Sequence, residues 1–460
     1  MKKIISIALA LLMVAVMLPV MAMADEPAAK LPDPDENGVI NLDKDVVLAD
    51  AVEISNDVTI DLHGWSITSS NGNSGKVIIA MANVTIKDST GGGRIESTSV
   101  KKDSSAAIRV GTAGTDKDIT VTIESGTMKG RDCGIFVAGI NSKLVVNGGY
   151  IEGTNGFGVS GNGSVKIGVP ECGPTTITIN GGKIIGGGTG IYHPQVGQLT
   201  INNGEITGKT GVEIRAGGLN VYGGTITATG DPTSTDPNGN GTTTVGAAVA
   251  IAQHTTKKNI AVTINGGTFT GKAALLESNP QSNPTDATGN IFIVVNGGNF
   301  EGMVCKAEPK DGSSLGVMGG TFNTADVTDY VRTSPTVKDN NGKYYVGSTA
   351  KNVVENAESG SFEVLTASAD ETLNVKSGVT IVNNSKTTIR VNGNEVPDGG
   401  SYTVPGTITI IAPSDGGNTT TTPSTDNTKN PSTGANDFVG VAAALAVVSL
   451  LGAAAVIRKK

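Results

Sequence analysis

The chain has 460 residues, including 64 Gly, 18 Pro, 3 Cys and 1 Trp, with 37% hydrophobic and 17% charged residues. Gly is about twice its usual share, but Pro is ordinary and no Gly-X-Y period runs along the chain, which excludes collagen. Val and Ile are too common and charge too sparse for a disordered chain. Aromatics at 3% leave a core of Ile, Val, Leu and Ala, the composition of short strands joined by many tight turns.

The first element is an address. Lys2 and Lys3 precede an apolar stretch over residues 4–20, and Ala22-Met23-Ala24 forms a small-x-small site before Asp25. This pattern predicts a signal peptide over 1–24, cut between Ala24 and Asp25. An uncleaved anchor is the alternative; Pro19 and the small residues ahead of an acidic Asp25 favour cleavage. A lead-in over 25–39 follows.

A repeat then begins in weak form. Residues 57–67 (DVTIDLHGWSI) and 83–88 (NVTIKD) alternate apolar and polar residues, with His63-Gly64 and Gly91-Gly92-Gly93 at their ends. It becomes plain at 121–128 (VTIESGTM), 144–151 (LVVNGGYI), 177–184 (ITINGGKI), 199–206 (LTINNGEI), 219–226 (LNVYGGTI), 262–269 (VTINGGTF), 293–300 (IVVNGGNF) and 315–322 (LGVMGGTF). The pattern is apolar-x-apolar-Asn-Gly-Gly-x-apolar, which reads as strand, corner, strand. Period-two alternation puts apolar residues inward and Thr outward. Asn and Gly are expected to supply the left-handed backbone of a sharp corner.

The second Gly recurs at 126, 149, 182, 204, 224, 267, 298 and 320, with gaps of 23, 33, 22, 20, 43, 31 and 22. The long gaps are either one turn plus an insertion or two turns of which one is degenerate. A period near 22 fits one coil of a right-handed parallel β-helix, three short strands per coil, stacked at about 4.8 Å. Asn147, Asn180, Asn202, Asn265 and Asn296 would then stack as a ladder of amides, each donating to and accepting from its neighbours. A leucine-rich repeat needs Leu-x-x-Leu-x-Leu spacing, which is absent. A sandwich or propeller needs no identical corner at this period.

These segments resemble the pectate-lyase-like right-handed parallel β-helix superfamily over about residues 40–350. The resemblance implies the fold; the superfamily contains many carbohydrate-active enzymes and also bacterial adhesins. Polar insertions leave the coil at 230–246 and 277–289, as solvated excursions or binding loops. The repeat stops after 326–331 (DVTDYV), and 343–346 (KYYV) reads as a closing strand. Residues 351–412 lack the Gly-Gly corner but alternate at 362–365, 379–382, 388–391 and 402–404. They are expected to form a small β module, with a distorted continuation of the coil as the alternative. The fold class expected is therefore all-β: a parallel β-helix followed by that module.

The C-terminus has three parts in order: a Thr/Ser/Pro-rich spacer over 413–429, the motif Asn430-Pro431-Ser432-Thr433-Gly434, and an apolar run over 438–457 ahead of Arg458-Lys459-Lys460. About 20 apolar residues suffice to cross a bilayer as a helix, with the basic tail held cytoplasmic. Residues 430–460 resemble the cell-wall sorting signal of Gram-positive surface proteins. That resemblance implies that sortase cuts between Thr433 and Gly434 and joins the Thr carbonyl to a peptidoglycan amine, so membrane contact ends at sorting. Asn430 stands where the commonest motif has Leu, which leaves the class of sortase open. Without cleavage the segment is a tail anchor.

The formal charge of −8 becomes about −12 once both cuts have removed the basic ends. An acidic surface repels nucleic acid, so nucleic-acid binding is disfavoured. Cys133, Cys172 and Cys305 are odd in number; one disulfide is possible, and buried thiols are the plainer reading.

Catalytic chemistry finds little support. Lyase chemistry next to a uronate carboxyl needs Ca²⁺ on clustered Asp plus an Arg or Lys base. Six Arg precede the sorting cut, at 94, 109, 131, 215, 332 and 390. Arg131-Asp132 and the Glu213, Arg215 pair stand out, and both read as exposed ion pairs. The Asn-Thr-Asp, Asp-Asp, Gly-His-Gly and Arg-Ile-Lys motifs of polygalacturonase-like hydrolases are absent. His63, His193 and His254 are too scattered for a metal site, and His193 reads as a corner. No catalytic residue, metal or cofactor is expected. Trp65, Tyr150, Tyr192 and Tyr222 are either sugar-stacking rings or corner filling. The function expected is a cell-wall-anchored adhesin or glycan-contact protein with sortase, peptidoglycan and a polysaccharide or host glycan as partners. The alternatives are a wall-bound polysaccharide lyase or glycoside hydrolase, and a passive stalk.

Overall fold

In a strand whose Ile or Val alternates with Thr, one face is apolar and must be buried. The strand Thr120–Ile123 shows this directly: Val121 and Ile123 are fully buried, and Thr120 and Thr122 are half-buried. A computed structural model describes residues 30–69, 75–99, 105–163, 172–234, 244–252, 258–278, 291–305, 313–331 and 333–406. All of these lie within one unit, residues 1–407.

Strands of this type stack in parallel into an 11-stranded sheet, from Val39–Asn41 to Ser313–Val317. Ile123, Val146, Ile179 and Ile201 are neighbours in register, one per coil, and all are buried. Each coil continues through two more strands. In one coil these are Lys143–Val146, Tyr150–Gly153 and Phe157–Ser160. They pair in parallel with Thr175–Ile179, Lys183–Gly186 and Thr189–His193 of the next coil. We call the three sides the first, second and third faces. The protein is thus a nearly closed, parallel β-helix-like solenoid, as the recurring corner predicts.

The long gaps resolve as one turn plus an insertion. Residues 161–174 separate Phe157–Ser160 from the next first-face strand, Thr175–Ile179. Residues 229–246 separate the second-face strand Thr225–Ala228 from the third-face strand Ala247–Ala252, and include a two-stranded antiparallel pair, Thr233–Ser234 with Thr244–Val245. No extra degenerate coil is inserted at either place, because the flanking strands pair directly across it.

The corner chemistry differs from expectation in one respect. The second Gly has positive φ at all eight repeats, for example +82° at Gly149 and +83° at Gly182. The ladder Asn residues do not; only the Gly carries the left-handed turn. The first Gly has a different role: a Cβ on Gly181 would lie 2.7 Å from the Asn147 carbonyl oxygen of the coil before. Stacked coils approach too closely there for a side chain.

The second-face row is aliphatic through Ile151, Ile184, Ile206 and Ile226, then aromatic through Phe269, Phe300 and Phe322. These three rings stack with centroids 4.6 and 4.7 Å apart. Wider rings fill the core where the coil ends. Gly320–Phe322 then pairs antiparallel with Tyr344–Val346, so parallel stacking stops. The helix α1 (Ser348–Asn356) follows. Its buried Ala350 and Val354 join a second apolar cluster with Phe362, Val364, Val379, Ile381 and Ile389. Strand Gly360–Thr366 is the centre of this part, antiparallel to Thr336–Asp339 and parallel to Val379–Asn383.

Among the described residues no helix is long and apolar enough to cross a membrane. Ala22, Ala24 and Asp25, the spacer, the motif 430–434 and the span 438–457 lie outside the described residues.

Candidate functional site

The corner between the first and second faces carries the row named in the sequence. Asn180 Nδ2 donates to Asn147 Oδ1 at 2.8 Å, and Asn202 Nδ2 donates to Asn180 Oδ1 at 2.7 Å. Asn147 Nδ2 in turn donates to Glu124 Oε1 at 2.9 Å. Asn296 Nδ2 donates to Asn265 Oδ1 at 2.9 Å. Five amides therefore form two runs rather than one, because Tyr222 occupies the corner between Asn202 and Asn265. Its ring stands where the neighbouring coils carry an amide, and the two Asn runs end on either side of it.

The four ring candidates separate by environment. Tyr192 is buried and stacks on Phe157 with centroids 5.0 Å apart, so it faces no ligand. Burial pushes its phenol up to about 12. Tyr150 is half-buried beside Glu152; its phenol is raised by burial first and by that carboxylate second. Tyr222 is 54% exposed and Trp65 40% exposed.

Trp65 has the richest surroundings. It borders an open depression of ≈ 720 Å³ lined also by Asn41, Leu42, Asp43, His63 and Gly64. The turn that carries it is tightly held. Asp61 Oδ1 accepts from the His63 and Ser89 amides, both at 3.0 Å. Asp88 Oδ1 accepts from the Gly64 amide at 2.8 Å, and His63 Nδ1 lies 3.0 Å from Ser89 Oγ. His63 and Gly64 take positive φ of +48° and +85°. An exposed indole on a fixed turn, ringed by an amide, a carboxylate and an imidazole, offers a stacking face and convergent polar groups, the two things a sugar ring engages. The sequence signalled Trp65; Asn41 and Asp43 became visible only when the first coil was seen stacked beside the second.

The charged candidates behave differently. Glu213 and Arg215 are both fully buried, not exposed, which corrects the sequence reading. The strand Thr210–Ile214 is buried at every position, so its outward residues are also enclosed. Arg215 Nε lies 4.0 Å from Glu213 Oε1, and Arg215 Nη1 donates to Tyr192 Oη at 3.3 Å. Arg131 lines a smaller groove of ≈ 270 Å³ with Glu96, Lys129 and Asn155. Lys129 there pairs with Glu152 at 3.2 Å. Arg94 pairs with Glu96 at 3.2 Å, and Arg390 with Glu395 at 3.4 Å. Arg332 and His254 lie outside the described residues. Among the described residues no group of three His, Cys, Asp or Glu is placed to hold a metal ion.

His193 ends the strand Thr189–His193, stacks on Ile214 in register and is fully buried. Burial pushes its imidazole down to about 4. The unfolded chain would titrate this group near the ordinary 6.5. The depressed value stabilises the folded state above pH 6.5, and that contribution is lost as pH falls from about 6.5 to about 4, at about 1.4 kcal/mol per pH unit. Urea unfolding at pH 7 and pH 4.5 should show this loss, and His193→Gln should reduce the pH dependence.

Cys133, Cys172 and Cys305 are thiols, with no disulfide among them. Cys133 Sγ donates to the Ile135 carbonyl at 2.8 Å, and burial pushes the thiol up to about 12. It is a packed core group rather than a nucleophile.

These features define a parallel β-helix-like solenoid with a fixed aromatic corner on its surface. No family model, no curated protein and no solved structure matches the chain.

Proposed function

We propose that the chain is a non-catalytic glycan-contact protein, an adhesin, displayed on a Gram-positive cell wall by a right-handed, pectate-lyase-like β-helix. The observation that carries the contact reading is the depression at Trp65, where a 40% exposed indole shares the lining with Asn41, Asp43 and His63 on a turn pinned by Asp61 and Asp88. A ring held this way stacks on the apolar face of a sugar with little ordering cost, and the polar groups take its hydroxyls. The display reading rests on the sequence: a signal peptide ending at Ala24, and Asn430-Pro431-Ser432-Thr433-Gly434 before the span and basic tail. Sortase would attach Thr433 to peptidoglycan, and no cofactor enters this scheme.

Two experiments address the two parts. A glycan array probed with residues 25–429 should show retention on a subset of polysaccharides or host glycans. Trp65→Ala should weaken that retention by about five-fold or more, given about 1 kcal/mol or more for a stacked ring. Retention that is indifferent to Trp65 would remove the proposed contact. Thr433→Ala should move the protein from the wall fraction to the membrane fraction; wall linkage that persists would show that 430–434 is not the sorting motif.

A further inference from the structure

A second concavity lies in the part that follows the solenoid. It is an open depression of ≈ 590 Å³ between the turn at Asp339, the helix α1 and the start of strand Gly360–Thr366. Val353, Ala357 and Phe362 give it an apolar floor. Asn340, Asn341 and Asn352 are exposed around it, so their amides are open to solvent as donors and acceptors. Asp339 is the one charged residue lining it among those described, and its carboxylate is engaged within the turn. Oδ1 accepts from the Asn341 and Lys343 amides, both at 2.9 Å, and Oδ2 accepts from the Tyr345 hydroxyl at 3.0 Å.

That charge pattern selects among ligands. Among the described residues no cationic residue lines the depression, and the Lys376 ammonium, which donates to the carbonyl of the lining residue Asn356 at 3.3 Å, is already paired with Glu358, so an anionic sugar or a phosphate meets no free counter-charge there. With the single carboxylate already engaged, a cation gains little. An apolar floor under a rim of amides fits a neutral ligand with one apolar face and several hydroxyls. We infer that the Asp339, α1 and Phe362 depression is a second binding site, specific for a neutral saccharide unit. It is separate in sequence and in fold from the Trp65 depression and does not depend on the reading of that site.

The test is titration calorimetry on the purified full-length chain in a non-glycosidic detergent, with maltotriose, cellotriose and chitotriose as probes and a glucuronate trisaccharide as the charged comparison. The expected result is saturable binding of at least one neutral probe, weakened about ten-fold in the double variant Asn341→Ala, Asn352→Ala, and changed by less than about two-fold in Trp65→Ala. The glucuronate probe should bind at least about ten-fold more weakly. Asn341 and Asn352 are exposed, and Ala is the better helix former at 352, so the double variant should keep its fold. Three results would each overturn the assignment: no saturable heat from any neutral probe, wild-type binding in the double variant, or loss of binding in Trp65→Ala instead. A failure confined to Trp65 on the glycan array bears on the other depression and leaves this one standing.

Discussion

Phe300→Ala should lower the stability of the solenoid by about 3–5 kcal/mol. Phe300 is the middle ring of the Phe269, Phe300, Phe322 stack, fully buried, with neighbours on both sides at 4.6 and 4.7 Å. Removing it leaves a void bounded by two flat rings, which cannot collapse into it without breaking the register of three coils. Phe292→Ala is the control, because Phe292 is 55% exposed on the first face and its loss should change stability by less than about 0.5 kcal/mol. Urea denaturation followed by far-ultraviolet circular dichroism measures both. A small effect at Phe300 would mean that the coils near the end of the solenoid are not packed as described.

The second large effect concerns the buried charges. Arg215→Ala should destabilise by about 3–5 kcal/mol, since it removes a fully buried guanidinium that lies 4.0 Å from the equally buried Glu213 carboxylate and donates to Tyr192. Lys183→Ala removes a pair of similar length with Glu205, 3.4 Å, but both partners are exposed, and the loss should be under about 1 kcal/mol. Adding Glu213→Gln to Arg215→Ala should recover part of the stability, because the buried carboxylate that faced the guanidinium is then replaced by a neutral amide. Equal small losses at Arg215 and Lys183 would show that the third face opens to water.

The fold was legible where backbone geometry demanded a particular residue. Only Gly tolerates the positive φ at 126, 149, 182 and 204, so the corners were written in the sequence at each of the eight plain repeats. The strand before each corner followed from Val and Ile alternating with Thr. The third face was much less legible. Its strands, such as Thr189–His193 and Ala247–Ala252, are buried at every position, which erases the alternation that marks a half-buried strand. For the same reason Glu213 and Arg215 read as a surface pair: i, i+2 spacing places two residues on one side of a strand but says nothing about whether that side is covered. The ladder was legible as a set of Asn residues, and its break at Tyr222 was visible in the same alignment of repeats. The site at Trp65 was legible only as one ring. Its partners Asn41 and Asp43 belong to another coil, and the depression at Asp339 joins a turn, a helix and a strand that share no motif.

The reading of this solenoid as a surface that holds glycans without cutting them is tested most directly by one assay. Residues 25–429 are incubated with acidic and neutral polysaccharides in the presence of Ca²⁺, and bound polymer and released product are measured together. The expected result is polymer retained at full length, with no new reducing ends and no unsaturated uronate absorbance. Steady release of either product would make the protein a lyase or hydrolase and contradict the contact reading.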